Sequence, residues 1–345
     1  MKKFLKVVLK LLLFTLVLAL FWAIWNRDLV SYGWMQLKGQ VGIVWNARPV
    51  TEVLNDPLVT EATKKRLQYI EVVRQFAIDS LGLKDSKNYT TFYEQKDKSL
   101  LWVLTASEPY RLKSYHWKFP VVGEVSYKGF FEKEKGKKED SLLIQKGYDT
   151  DYSSVSAWST LGWFRDPILS AILKRSDGQL ADLLIHEMTH ATLYVKSDVN
   201  FNENFASAIG EAGAIKFLNF YYGPDSPQMK EYFDRKADND LYNNHMLLAC
   251  KKLDTLYLRI EHLDDSLKAK FKNDFMEQIA TSLDTLSFRS PDRYKSIFSK
   301  RLPNNAYLMN FVRYDAQKSA MREELRTKYY DNISQYIEAI RLKYN

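Results

Sequence analysis

The first 25 residues, MKKFLKVVLKLLLFTLVLALFWAIW, limit the possible folds more than any other stretch. Leu11 to Trp25 is a run of 15 uncharged residues, and it grows to 22, Phe4 to Trp25, when Lys6 and Lys10 extend their amines toward lipid headgroups. A helix apolar on every side needs either a surrounding protein core or a bilayer. Four lysines within the first ten positions rule out the core. A cleaved secretory signal would end in a small-x-small site. Here Ala19 and Ala23 are separated by Leu, Phe and Trp, with no Ala-x-Ala beyond them, so residues 1–27 are expected to stay as an anchor. Trp22, Trp25 and Tyr32 suit an aromatic belt at the far interface. The lysines in front and the mixed Arg27-Asp28 behind predict a single pass with the N-terminus in the cytoplasm and the rest outside.

The remaining sequence is that of a folded protein, with 46% hydrophobic and 14% aromatic residues over 345 positions. The formal net charge of +8 falls to +3 once Lys2, Lys3, Lys6, Lys10 and Arg27 are set aside, leaving 45 basic against 42 acidic residues. Signs so evenly mixed give no stripe for phosphates, so no nucleic-acid partner is expected. The single Cys250 excludes an intrachain disulfide and a cysteine-based metal site.

Hydrophobic spacing organises this part as one domain, 28–345. Its first section, 28–175, mixes helix and sheet. Leu67, Ile70, Val73, Phe76 and Ala77 mark a helix that ends at Gly82. LLWVLTASEP and YHWKFPVVGEVSYKGFF, aromatic and β-branched, read as strands of a small sheet. The charge run EKEKGKKED, 132–140, reads as a solvated turn, and VSAWSTLGWFRDP, 155–167, as a strand leading into a loop. From about Ser226 to Tyr344 the pattern is helical throughout. The expected class is α+β, mostly helical, with a helical hairpin at 176–223 and a long helical part at 224–345.

That hairpin carries the chemistry. In LLIHEMTHATLYV, 183–195, His186 and His190 stand four apart with Glu187 directly after the first. Ser176 followed by Gln179 forms a capping box, and no Gly or Pro interrupts the run from Leu180 to Val195. A helix puts both imidazoles on one face about one turn apart, where they reach a single ion. Leu183, Leu184 and Ile185 bury that helix, and unpartnered histidines there would cost about 1–3 kcal/mol each. No basic residue at helical spacing offers an ion pair, so a metal is the expected partner, and Zn2+ suits the donors.

A catalytic zinc takes three protein ligands and keeps one position open. Glu203 and Glu211 in DVNFNENFASAIGEAGAIKFL are the downstream candidates. Glu203 follows a short loop, Lys196–Asn200, so an antiparallel hairpin returns it toward His190. Its face continues as Ala206, Gly210 and Ala214, small enough for close helix approach. Glu211 lies about 80° away round the helix and reads as a solvent or inter-helix carboxylate.

HEMTH followed by FNENFA resembles the second-helix Asn-Glu-x-x-Ala pattern of gluzincin aminopeptidases, with a shorter interval between the second His and the Glu. More specifically, the chain resembles a family of bacterial proteins described as predicted aminopeptidases, from about Tyr32 to the C-terminal helices. The resemblance rests on WKFPVVGEVSYKGFF, AWSTLGWFRDP, LIHEMTHATLYV, FNENFA and PNNA (303–306). It implies a zincin-like metallopeptidase with His186, His190 and Glu203 as zinc ligands and Glu187 as general base. It also implies a bacterial inner-membrane protein with its catalytic part in the periplasm and a peptide or protein substrate. Many relatives are lipoproteins, whereas this N-terminus has no cysteine to lipidate; Lys118 and Glu124 stand where some carry cysteines.

In that chemistry zinc acidifies water and polarises the scissile carbonyl, and Glu187 moves the proton to the leaving amine. A further donor should hold the oxyanion. Tyr314, shortly after Asn304-Asn305, is the candidate, with Tyr194 and His245 as rivals; Trp163 and Phe164 are candidates to line the cleft. Two other readings use the same residues differently. An endopeptidase of envelope proteins would lack a pocket for the free amino terminus, and a non-catalytic scaffold with a structural metal would have no need of Glu187.

Overall fold

The computed structural model describes residues 2–96, 98–120, 123–155, 166–196, 198–312 and 317–344. Two helices, α1 (Lys2–Trp25) and α2 (Arg27–Asn46), open the chain. Strand β1 (Arg48–Pro49) and α3 (Val50–Asn55) lead into α4 (Glu61–Leu81). Next come β2 (Thr91–Tyr93), β3 (Leu101–Ser107), β4 (Trp117–Phe119), β5 (Gly123–Val125), β6 (Tyr127–Phe130), α5 (Lys133–Gln145), β7 (Asp149–Val155) and β8 (Ile168–Leu169). Helices α6 (Asp177–Thr192), α7 (Val199–Tyr222), α8 (Pro227–Ile260), α9 (Asp265–Ser282), α10 (Asn305–Val312), α11 (Lys318–Tyr329) and α12 (Ile333–Tyr344) complete it. The class is α+β and mostly helical, but the strands form three small sheets where one was expected. Their orders are β1-β2-β8, β6-β3-β7 and β4-β5.

Local chemistry explains the longer elements. Thr60 caps α4 by accepting from the Thr63 N–H at 3.2 Å, and Gly82 ends it at φ +70°, a left-handed conformation glycine adopts without steric cost. Leu67, Ile70, Val73, Ala77 and Leu81 face the main core, which α4 shares with α6, α7 and α12. A second core joins α8, α9 and α10 around Met246 and Leu253. Met35 of α2, Leu104 and Ala106 of β3, Phe130 of β6 and Leu143 of α5 form a third.

Two expectations need correction, and a third lies mostly outside the described residues. Residues 133–140 belong to α5, with Glu132 at its N-cap position: Gly136 packs directly under Tyr152, and Leu143 is buried in the third core. The expected strand and loop at 155–167 lie mostly outside the described residues: Val155 is in β7, and 156–165, with Trp163 and Phe164, are not described. Tyr32 joins no belt; its hydroxyl donates to the Gly129 carbonyl (3.0 Å), and its ring stacks on Phe119. The Asn304-Asn305 pair fastens the helical half to the sheet. Asn304 donates to the Thr150 carbonyl (2.8 Å), and fully buried Asn305 donates to the Glu108 carbonyl (2.8 Å) while accepting from Tyr257 (2.7 Å).

Among the described residues, Phe4–Trp25 is the one segment long and apolar enough to cross a membrane, and none of it is buried against the protein.

Candidate metal centre

The centre is built on the hairpin of α6 and α7. At the head of α6 the Gln179 side-chain carbonyl accepts from the Ser176 N–H (3.4 Å) and hydroxyl (3.3 Å). Leu180, Leu184, Ile185 and Met188 turn into the main core, which fixes the rotation of the helix and leaves His186 and His190 on a half-open face. The connection lies earlier in the chain than expected: α6 ends at Thr192, and Asp198 caps α7 by accepting from the Phe201 N–H (3.0 Å), so the second helix already includes Val199 and Asn200. Buried Asn202 clamps the connection to α7: its side chain accepts from the Val195 N–H and donates to the Val195 carbonyl, both at 2.8 Å.

Small residues then bring the helices together. A Cβ built on Gly210 would lie 2.6 Å from Asp182 Oδ1 and 3.1 Å from His186 Cβ; one on Gly213 would lie 2.8 Å from Ile185 Cγ2. Because 210 faces 182 and 186 while 203 faces 190, the helices run antiparallel, and Glu203 is returned to the histidines.

Three donors meet there. His186 Nε2 and His190 Nε2 are 3.1 Å apart; Glu203 Oε2 is 3.6 Å from the first and Oε1 is 3.5 Å from the second. One donor atom from each residue lies within 4.8 Å of the others. These spacings bracket the edge, roughly 3.3 Å, of a tetrahedron with zinc–ligand bonds of about 2.0–2.1 Å. Nε2 of both rings faces the shared point. His190 Nδ1 is buried without a hydrogen-bond partner among the described residues, and His186 Nδ1 is 3.4 Å from Ser207 Oγ. Two nitrogens and a carboxylate suit a borderline ion such as zinc, so the residues fit the expected group.

Burial and neighbouring charge oppose one another at these groups. Burial opposes the protonation of His186, but the carboxylates of Glu203, Glu187 and Asp182 outweigh it and raise its pKa. Burial and the neighbouring His186 hold His190 down at about 4. Burial favours the neutral form of Glu203, yet the two histidines lower its pKa overall. Glu187 goes the other way: burial raises its pKa, and Glu203 and Asp166 add to this against the opposing pull of His186.

Several neighbours have no signal in the motif. Asp182, one turn before His186, accepts from the Tyr232 hydroxyl at 2.7 Å and adds negative charge behind the first histidine. Tyr89 is buried in the left-handed region at φ +62°, and burial and then the charges of Glu187 and Asp166 raise its phenol pKa. Tyr127, on β6, has its phenol raised by partial burial, then by Glu203 and Tyr194.

Of the earlier candidates, Tyr194 stands beside the centre, half exposed, with its ring 6.3 Å from that of His190. His245 does not: its Nε2 pairs with Ser282 Oγ at 2.9 Å, at the α8–α9 contact. Tyr314 lies outside the described residues. Glu211 is not solvated. It is buried between α7, α8 and α11, with Lys236 at 3.3 Å, Lys318 at 3.1 Å and Arg322 at 3.4 Å.

No curated protein and no solved structure gives a significant match to the chain. A family model does, across nearly everything that follows α1: residues 31–343 match the family described as "Putative aminopeptidase", and the chain belongs to that family.

Proposed function

We propose that the chain is a zinc-dependent aminopeptidase held in the bacterial inner membrane by α1, with its catalytic part in the periplasm and folded as one zincin-like domain. The family supports peptide-bond hydrolysis. The observation that carries the metal is the meeting of His186 Nε2, His190 Nε2 and the Glu203 carboxylate beside Glu187. When bound, the ion supplies Lewis acidity toward water and the scissile carbonyl.

This chain's residues do the rest. Glu187, one position after a ligand on the same helix, takes the proton from the attacking water and returns it to the leaving amine. Its raised pKa lets it hold that proton between the two steps. Ser207 Oγ, beside His186 Nδ1, orients that ring, and Asp182, fixed by Tyr232, adds negative charge near it. Tyr314 is proposed to donate to the oxyanion, and Tyr194 and Tyr127 flank the centre on the substrate side.

The test is Glu187→Gln. It should retain zinc and thermal stability while peptide hydrolysis falls at least ~10²-fold, the low end of general acid–base contributions. Matched peptides with free and acetylated amino termini are assayed on the same preparation. Cleavage confined to the free series supports the aminopeptidase, and equal cleavage of both moves the reading to an endopeptidase. Activity of Glu187→Gln within about threefold of the parent refutes the role of Glu187.

A further inference from the structure

Helix α2 has two apolar faces, and only one has a partner. Tyr32, Met35, Gln36, Gly39 and Ile43 face the protein. Both the Tyr32 hydroxyl (3.0 Å) and the Gln36 amide (2.6 Å) donate to the Gly129 carbonyl, and Gly39 lies directly under Phe131. On the opposite side Val30, Trp34, Leu37, Val41 and Trp45 are exposed by 41, 66, 51, 39 and 84%. At 100° per residue these five fall within an arc of about 80°, a continuous stripe along the helix. Because the inner face is fixed to β6, the stripe is held outward.

We propose that this stripe lies in the surface of the bilayer that α1 crosses, so that α2 is an interfacial helix docking the catalytic part onto the membrane. This rests on the reading of α1 as a membrane span. Asn26 alone separates the two helices, and the hydrogen bonds Asn26 N–H to Trp22 (2.9 Å) and Val30 N–H to Asn26 (3.0 Å) tie them together. The stripe therefore begins about one turn beyond Trp25. Asn26 itself, at φ −103° and ψ 34°, leaves the helical basin and interrupts the helix between the span and α2. The composition favours lipid over a second copy of the chain. Trp34 and Trp45 suit the headgroup boundary, and exposed Arg27 and Lys38 border the stripe where phosphates lie.

The test uses the full chain in phosphatidylcholine–phosphatidylglycerol nanodiscs, in a Cys250→Ala background. Single spin labels are placed at Trp34→Cys, Leu37→Cys, Val41→Cys and Trp45→Cys, with Leu16→Cys in α1 and Leu258→Cys on α8 as references. Zinc content and circular dichroism identify the folded variants, and four independent stripe positions guard against losing one. Stripe labels should resemble Leu16→Cys, with collision by oxygen favoured over a water-soluble nickel chelate, and Leu258→Cys should show the reverse. Stripe labels that behave like Leu258→Cys while Leu16→Cys stays lipid-like overturn the proposal and leave the anchor intact. A water-exposed Leu16→Cys removes the anchor and the proposal together. Dipolar broadening at the stripe that disappears on dilution with unlabelled protein assigns the face to a second copy and also overturns it.

Discussion

Gly210→Ala adds one methyl group where α6 and α7 approach closely, and the structure sets the size of the effect. The new Cβ would lie 2.6 Å from Asp182 Oδ1 and 2.9 Å from the Asp182 carbonyl oxygen. Relief to an ordinary separation of about 3.5 Å requires α7 to retreat by roughly 0.6–0.9 Å. The carboxylate is not free to swing aside, because Tyr232 donates to its other oxygen at 2.7 Å. Glu203 lies two turns earlier on α7 and moves with it, by at least about three times the ±0.2 Å tolerance of a metal–ligand distance. Zinc affinity should fall by about 10- to 100-fold, the range typical for residues that support ligands. Stability without metal should change less. Overpacking costs about 1–3 kcal/mol and the gain in helix propensity returns about 1, a net loss of about 0–2 kcal/mol. Competition titration against a chelator measures the first quantity, and thermal melts in excess chelator measure the second. Gly33→Ala is the control, since a Cβ there meets nothing within 4 Å. Gly210→Ala protein that folds and binds zinc within about threefold of the parent would refute the argument that this helix approach sets the ligand geometry.

Glu203→Ala should abolish stoichiometric zinc binding, whereas Glu211→Ala should keep zinc and lose about 1–3 kcal/mol of stability, because it leaves Lys236, Lys318 and Arg322 without their shared carboxylate; metal content and denaturant melts on both variants decide the assignment. Burial raises the Glu211 pKa, but those three cations lower it overall, so its contribution is present above the unfolded carboxylate range, near pH 4.3, and is lost as pH falls through the lower folded value; Glu211→Gln should flatten this acid limb. His186, raised above its ordinary value in the metal-free protein, must lose its proton for zinc to bind, so zinc affinity should fall as pH drops through that value. Competition titrations against a chelator from neutral to acid pH measure this, and an affinity corrected for the chelator's own protonation that does not change with pH would contradict the assignment.

The candidate metal-binding triad is legible because every signal that brings it together is local. Ser176 and Gln179 start α6, spacing of four puts His186 and His190 on one face, and the small residues after Glu203 allow the close contact seen at Gly210. Asp182 obeys the same periodicity, four residues before His186, and could have been found by extending the face one turn backward. Tyr89 and Tyr127 could not. They reach the centre through a left-handed turn and through β6, placed by pairings such as Trp102 with Phe130 that leave no mark in a short window. The charge run at 133–140 misled for a related reason: α5 is held by Tyr152, by the third core and by Glu139 pairing with Lys128 and Trp117, all partners distant in sequence. The glycines of α2 dilute its helical signal, although Gly39 is what lets Phe131 seat against it. PNNA drew attention as a polar pair near a candidate catalytic tyrosine, yet both asparagines serve the junction between sheet and helices. The three candidate donors are thus brought together by two adjacent helices, while Tyr89 and Tyr127, whose phenols feel the charges of Glu187 and Glu203, come from a distant turn and strand. A change in β6 or the turn at Tyr89 should therefore alter turnover more than metal content.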